Sequence, residues 1–222
     1  MTSKTKTAVR ASINILIVVF TLIATLWMAF SKDGDLSVSG VQMLKFYTVD
    51  SNILMGLVAL LSLPFDLRKL KDEDVKTPFV IDLLYYVGVF GVILTFLTVV
   101  FFLSPMMVKN GGSYFTYFSG PNFFMHFATP ILAIFSFFFF QEKREIKYAY
   151  SFLPVVTLLA YAIFYMSYLY RNGGIGNKNI DWYGFTLLTI PWPVVFIFMV
   201  VIGYLISFLI WLAREKIQKK LS

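Results

Sequence analysis

Six long apolar stretches divide this chain and limit what it can fold into. A helix needs roughly 20 mainly apolar residues to cross a bilayer. The stretches of about that length are residues 11–30, 43–65, 79–103, 122–140, 150–170 and 187–213. Hydrophobic residues make up 59% of the chain and charged residues 14%, whereas a soluble domain has about 45–50% and about 25%. The sequence therefore predicts an all-α polytopic membrane protein, a bundle of six transmembrane helices forming one domain over residues 1–222.

The basic residues predict how the chain is oriented. Lys and Arg are concentrated in the N-terminal tail, in the second and fourth connectors and in the C-terminal tail, and they are sparse in 31–42, 104–121 and 171–186. Cytoplasmic segments carry the excess of Lys and Arg, so both termini are expected in the cytoplasm. The same distribution accounts for the net charge of +7, and no nucleic acid is expected as a partner. We expect the first stretch to be retained as a helix, since it is too long for a signal-peptide core.

A group of polar residues opens the second apolar stretch. The segment "FYTVDSNILMGL" contains Thr48, Asp50, Ser51 and Asn52 at its beginning. Thr48 and Asn52 are four residues apart and share a helix face, and Ser51 flanks them. Asp50 points away from Thr48, toward another neighbour or a water-filled entrance. Each polar group costs free energy away from water unless it has a partner, so this face is expected to meet other polar groups.

The single histidine, His126, lies about five residues into the fourth stretch, as Thr48 does in the second. Both helices are expected to run inward from the outer face, so both side chains are predicted about 7–8 Å below the outer boundary. Asn122 precedes His126 by four residues and Thr129 follows it by three. The matching depths permit contact between Thr48 and His126 without requiring it.

These residue types fit nucleophilic ester hydrolysis. A threonine hydroxyl becomes a nucleophile when a base such as neutral histidine takes its proton, so Thr48 and His126 are the candidate catalytic pair. Asn52, Asn122 and Ser51 are candidates for stabilising the oxyanion or orienting the pair. The candidates for the entrance or for substrate contact are Asp50, Thr129, Asp181, Trp182 and Tyr183, with Asp181 expected mainly as an outer-surface residue. With no Cys and one His, no metal is expected, and no cofactor is expected either.

Three segments together resemble the androgen-induced-protein family of membrane hydrolases, in particular its prokaryotic branch. They are "FYTVDSN", "NFFMHFATP" and "DWYGF". Prokaryotic members tend to show an aromatic-Thr-x-x-Ser-Asn segment, a His-x-x-x-Pro segment and a Trp-Tyr segment in that order, and the resemblance spans most of the chain. It implies an intramembrane threonine nucleophile with a histidine, which fall by motif on Thr48 and His126. Animal members cleave fatty acid esters of hydroxy fatty acids, so the resemblance implies membrane lipids as partners and a lipid ester as substrate. The likeness to the prokaryotic branch implies a bacterial plasma membrane.

Two other interpretations remain open. Substrate-binding membrane subunits of vitamin-type importers share this length, helix count and basic inner connectors, although the first stretch lacks the small-xxx-small ridge with which they often dock a partner. A structural or assembly protein is the third interpretation. There Thr48 and His126 would only make hydrogen bonds within or between helices, as such residues commonly do in membranes. The sequence identifies no protein partner.

Overall fold

A computed structural model of the chain describes residues 1–30 and 40–220, and this part is helical with no β-strand. Six helices in it are long and apolar enough to cross a membrane, as the sequence predicted. They are α1 (Ser3–Phe30), α2 (Tyr47–Lys71), α3 (Phe79–Lys109), α4 (Gly120–Phe140), α5 (Tyr148–Arg171) and α6 (Trp192–Lys220). Most of the predicted first connector, 31–42, lies outside the described residues.

Several helices are longer than the apolar stretches that predicted them. α1 begins at Ser3 rather than near residue 11, and α6 continues to Lys220 rather than ending near residue 213. Backbone hydrogen bonding propagates into the polar residues that flank an apolar stretch, whereas hydropathy marks only the part suited to lipid. α2 begins later than predicted, because Gly40–Lys45 forms a separate 3₁₀ turn and Phe46 is extended before the helix.

Wide π-helical turns interrupt α3 and α4. They cover Val99–Leu103 in α3, and Phe124–Ala128 and Ser136–Phe140 in α4. Proline explains two of them: Pro105 and Pro130 have no N–H to return to the carbonyl four residues earlier, and their rings crowd that carbonyl. π turns of this kind are frequent at functional sites, and the one at Phe124–Ala128 contains His126.

The chain forms two compact units, of which the first comprises Met1–Ile146 together with Leu212–Ser222. In this unit α1 packs along α2, where Gly56 lets the Thr21 side chain come within 3.0 Å of where a Cβ would lie. A buried apolar cluster joins α1, the 3₁₀ turn, α2 and α4 through Ala24, Met28, Met43, Val49 and Met125. The cluster fixes the beginning of α2 against the π turn of α4.

The second unit comprises Lys147–Trp211 and contains α5, the first part of α6 and the connector between them. The Ser207 hydroxyl donates to the carbonyl of Ser151 at 2.6 Å, and the Phe152 and Tyr204 rings stack with centroids 4.7 Å apart. The outward faces of both helices are strongly apolar: Ile163, Ile197 and Phe198 are all more than 60% exposed. Such a surface is suited to lipid rather than water.

Candidate active site

Thr48 lies in the first turn of α2 and is half-buried. Its backbone carbonyl accepts hydrogen bonds from the Ser51 hydroxyl at 3.1 Å and from the Asn52 side-chain amide at 2.8 Å. Its own hydroxyl makes no hydrogen bond with any residue in 1–30 or 40–220. A threonine inside a helix commonly bonds the carbonyl one turn back, so this hydroxyl is left available for another partner.

Asn52 connects α2 to α4. It is fully buried, and its Nδ2 donates both to the Thr48 carbonyl and to the Met125 carbonyl, the latter at 3.1 Å. The segments that carry Thr48 and His126 are therefore in direct contact, since Met125 precedes His126. An amide has two N–H donors, and here both are used. In this conformation Asn52 bridges α2 and α4 and has no donor left for an oxyanion.

His126 lies in the π turn of α4 and is 2% exposed. Its Nδ1 is 2.7 Å from the backbone carbonyl of Tyr117, and the two rings pack edge to face. A carbonyl oxygen only accepts hydrogen bonds, so Nδ1 carries the proton and donates it. In the neutral imidazole the Nε2 atom then keeps its lone pair, which is the form a general base requires.

Asn122 and Thr129, on either side of His126, are both almost completely buried. The Oδ1 atom of Asn122 and the Oγ1 atom of Thr129 have no hydrogen-bond partner within the described residues. Buried polar atoms without a partner are uncommon in proteins. Two buried polar atoms, one on each side of His126 in the sequence, therefore have no structural hydrogen bond within the described residues.

Ser51 and Asp50 have different surroundings. The Ser51 hydroxyl lies 3.2 Å from that of Thr95 on α3. The helices approach closely there: a Cβ on Gly91 would be 2.9 Å from the Ser51 Cβ. Asp50 is half-buried in the first turn of α2, where a carboxylate complements the positive end of the helix dipole. None of the described basic residues forms an ion pair with it.

Asp181, predicted mainly as an outer-surface residue, is 3% exposed. That prediction was wrong because its carboxylate organises the connector between α5 and α6. It accepts hydrogen bonds from the Tyr165 hydroxyl, the Gly184 backbone, and both the backbone and the hydroxyl of Thr186. Burial raises the pKa of Asp181, but these hydrogen bonds outweigh that effect and hold the pKa below its usual range.

Trp182 and Tyr183 lie in the same connector and belong to an aromatic cluster of the second unit. The Trp182 indole donates to the Tyr161 hydroxyl at 3.3 Å, and its ring meets that of Tyr165 edge-on at 4.9 Å. The Tyr183 ring stacks on Phe185 with centroids 5.2 Å apart. All these contacts lie within residues 147–211 and define a local aromatic cap.

A buried polar network that the sequence analysis missed lies at the other end of α2. The Arg10 Nε donates to Asp66 Oδ1 at 2.7 Å, the Asn14 amide donates to Asp66 Oδ2 at 2.9 Å, and the Tyr85 hydroxyl donates to Asn14 Oδ1 at 2.9 Å. All four residues are at most 2% exposed. The spacing of Arg10 and Asn14, four residues apart on α1, was a signal that one helix face is polar.

The network extends into the connectors. Arg10 also donates to the Thr77 hydroxyl at 2.8 Å and to the Gln141 side chain at 3.2 Å. Glu142 pairs with Lys69 at 2.9 Å and accepts from Thr77. Burial raises the pKa of Glu142, but the Lys69 and Thr77 contacts outweigh it and hold the pKa below its usual range. Arg10 and Lys69, which the sequence analysis counted only among the basic residues of the tail and a connector, thus also make structural contacts.

Comparison with protein-family models, with curated proteins and with solved structures finds no match to this chain. The relation to the androgen-induced-protein family therefore stays a prediction from three short motifs.

Proposed function

We propose that this protein is an intramembrane hydrolase of acyl esters, with Thr48 as nucleophile and His126 as general acid and base. The observation that carries the proposal is the Nδ1 hydrogen bond of His126 to the Tyr117 carbonyl. It leaves Nε2 as the basic nitrogen in the neutral ring. The Asn52 bridge, which joins the turn of Thr48 to the residue before His126, supports the same proposal.

The proposed reaction has two steps. In the first, His126 Nε2 takes the proton of the Thr48 hydroxyl as Oγ1 attacks the ester carbonyl carbon; the tetrahedral intermediate then expels the alcohol, which receives that proton. In the second, His126 takes a proton from water, which attacks the acyl group on Thr48. The fatty acid leaves and the proton returns to the threonine oxygen. Asn122, once its amide is turned to present N–H, is the candidate donor to the oxyanion.

The proposed substrate is a lipid ester of the type formed by a fatty acid and a hydroxy fatty acid. The six apolar helices are compatible with an integral membrane protein, and a hydrolase in that setting would meet its substrate in the bilayer. We also propose a bacterial plasma membrane with both termini cytoplasmic. Single cysteines at Glu73 and Asn179, both exposed, test the orientation: an impermeant maleimide should label only position 179 in intact cells.

Covalent labelling with a fluorophosphonate probe tests the hydrolase. The threonine oxygen displaces fluoride from phosphorus and the proton is taken by the base, so labelling reports an activated hydroxyl. Wild type should be labelled, Thr48→Ala and His126→Ala should not, and Thr48→Ser should retain labelling. Thr98→Ala is the matched control, because that hydroxyl donates to its own helix at the Leu94 carbonyl. Labelling that persists in folded Thr48→Ala protein would overturn the assignment.

A non-catalytic role is the second candidate, and one observation favours it. Asn52 and Ser51 use their side chains for contacts between α2 and its neighbours, as expected for polar groups that only hold membrane helices together. In that case wild type stays unlabelled while the Thr48 and His126 variants change only the melting temperature. The labelling experiment therefore separates the two functions.

A further inference from the structure

The last residues of α6, 212–220, form a basic segment that belongs to the first unit. Its acidic residue, Glu215, pairs with Arg214 at 3.4 Å, and Arg214 is only 1% exposed. The charge that the basic segment presents outward is therefore carried by its exposed lysines, Lys216, Lys219 and Lys220. None of these lysines forms an ion pair with a residue in 1–30 or 40–220.

Arg214 fixes the basic segment against the connector between α4 and α5. Its Nη1 donates to the Arg144 carbonyl at 2.8 Å, and its Nη2 donates to the Glu142 carbonyl at 3.4 Å. The Gln218 amide donates to the same Glu142 carbonyl at 3.4 Å, and the guanidinium lies over the Phe137 ring. Helix ends fray unless such contacts hold them, so the lysines stand on a fixed support.

The three lysines lie on the side of the basic segment that faces away from this connector. Spacings of three and four residues put Lys216, Lys219 and Lys220 on one helix face. At about 100° per residue, that face is opposite the one formed by Arg214 and Gln218. The contacts that hold the segment therefore leave its lysine face uncovered.

The same face of α6 is apolar before the basic segment begins. Val201, Leu205 and Leu209 recur at intervals of four residues, and all three are exposed. Lys216 follows Leu209 by two turns of the helix, so the sequence spacing puts them on one face. A lipid that lies along this face has its acyl chain against apolar side chains and its headgroup at the lysines.

Two tryptophans indicate how much of α6 fits in the hydrocarbon of a bilayer. Trp192 and Trp211 lie about 29 Å apart along the helix at 1.5 Å per residue, close to the roughly 30 Å of a hydrocarbon core. Tryptophan is enriched where a bilayer meets water. In a bilayer this spacing places the residues after Trp211 at the level of the lipid headgroups.

We propose that the basic segment binds the headgroups of anionic phospholipids at the bilayer surface, through Lys216, Lys219 and Lys220. The negative phosphodiester of such a lipid complements the lysine ammonium groups. Each lysine close to an anionic bilayer strengthens binding about fivefold. The apolar face that leads into the lysines matches acyl chains, which a nucleic acid or a soluble phosphate compound lacks. The proposal depends neither on the hydrolase nor on the side of the membrane on which the termini lie.

Fluorescence quenching by lipids with brominated acyl chains tests the proposal on the full chain in vesicles of phosphatidylcholine and phosphatidylglycerol. Trp211 is kept as the only tryptophan, and the others are replaced by phenylalanine. Brominated phosphatidylglycerol should quench Trp211 more than brominated phosphatidylcholine at the same mole fraction, and added salt should weaken the preference. Trp192, kept instead in a second protein, lies at the other end of α6 and should show a smaller preference. Equal quenching of Trp211 by the two lipids would overturn the proposal.

Two sets of lysine substitutions assign the preference to a place in the chain. Lys216→Gln, Lys219→Gln and Lys220→Gln together should reduce the relative affinity for phosphatidylglycerol about tenfold, since several lysines near an anionic surface are lost. The control set removes the same charge from other exposed positions and should leave the preference unchanged: Lys4→Gln, Lys71→Gln and Lys76→Gln. Equal losses in the two sets would assign the preference to net charge and contradict the proposal.

Native mass spectrometry supplies a measurement that needs no tryptophan substitution. Wild type released from detergent should retain phosphatidylglycerol in preference to phosphatidylcholine, and the protein with the three substitutions in the basic segment should not. Excess inorganic phosphate or a short RNA should leave the retained lipid in place. Displacement by phosphate would assign the lysines to a soluble phosphate compound, displacement by RNA would assign them to a nucleic acid, and either result would overturn the proposal.

Discussion

Asn52 on α2 donates a hydrogen bond to the backbone carbonyl of Met125 on α4 at 3.1 Å. The same amide nitrogen donates to the Thr48 carbonyl. One buried side chain therefore holds the turn that carries Thr48 against the turn that carries His126. The geometry between these two turns depends on this amide more than on any single apolar contact, because hydrogen bonds fix direction and apolar contacts do not.

Replacing Asn52 with leucine should weaken both the fold and the candidate site. The buried Met125 carbonyl loses this donor, which costs about 1–3 kcal/mol where no new partner forms, whereas the Thr48 carbonyl still accepts from the Ser51 hydroxyl. The melting temperature in detergent should fall, and fluorophosphonate labelling of Thr48 should fall further than stability explains. Ser62→Ala on the same helix is the control, since that hydroxyl bonds only its own helix. Labelling unchanged in folded Asn52→Leu protein would show that the bridge does not position the pair.

The tautomer of His126 can be measured directly, because it is the only histidine in the chain. Protein labelled with ¹⁵N-histidine should show a protonated Nδ1 and an unprotonated Nε2 in the neutral ring, as the Tyr117 carbonyl requires. His126→Asn, which can keep a donor near the Nδ1 position, should fold better than His126→Leu and still fail to react with the probe. A neutral ring protonated at Nε2 would contradict the base assigned to the reaction.

The sequence was sufficient to predict the six helices, but it did not predict most of the contacts between them. Hydropathy is a local property, so the apolar stretches predicted the six helices of residues 1–30 and 40–220 that are long and apolar enough to cross a membrane. The pairing of Arg10 with Asp66 joins residues 56 positions apart, and no local pattern selects that partner among the acidic residues. Arg10 was interpreted only as a basic residue of the tail, because the sequence does not distinguish a buried guanidinium from an exposed one.

The candidate site shows the same division. Residues spaced four apart revealed the polar faces around Thr48 and His126 in the sequence. The contact between α2 and α4 could not be predicted from it. The hydrogen bond from His126 to the Tyr117 carbonyl was not visible either, because it depends on how the connector folds back. Asp181 was misjudged because three of its four hydrogen bonds come from a turn in which Gly184 adopts a positive φ of 71°, and the fourth comes from Tyr165 on α5. Glycine allows this backbone conformation without specifying it.

Breaking the Arg10–Asp66 pair should destabilise the first unit strongly. Arg10→Met leaves a fully buried carboxylate without its cation, and removal of one partner of a buried pair typically costs about 3–5 kcal/mol. Thermal unfolding in detergent should show this loss, and Arg10→Met combined with Asp66→Leu should recover part of it. Arg68→Met, at an exposed position on α2, should change stability by less than about 0.5 kcal/mol. Equal effects of the two arginine substitutions would show that the buried pair contributes no more to stability than an exposed arginine does.

The carboxylate of Asp181 should make the connector of the second unit sensitive to acid. Its folded pKa lies below the usual range, so the unfolded chain binds a proton more readily and protonation favours unfolding. The stabilisation is complete above the unfolded value of about 3.9 and is lost as the pH falls through the folded pKa. Fluorescence of Trp182, with the other tryptophans replaced by phenylalanine, should report loss of the aromatic cap below about pH 4. Asp181→Asn should be less stable at neutral pH and should lose this acid transition, whereas a transition that persists in Asp181→Asn would assign the acid sensitivity to another carboxylate.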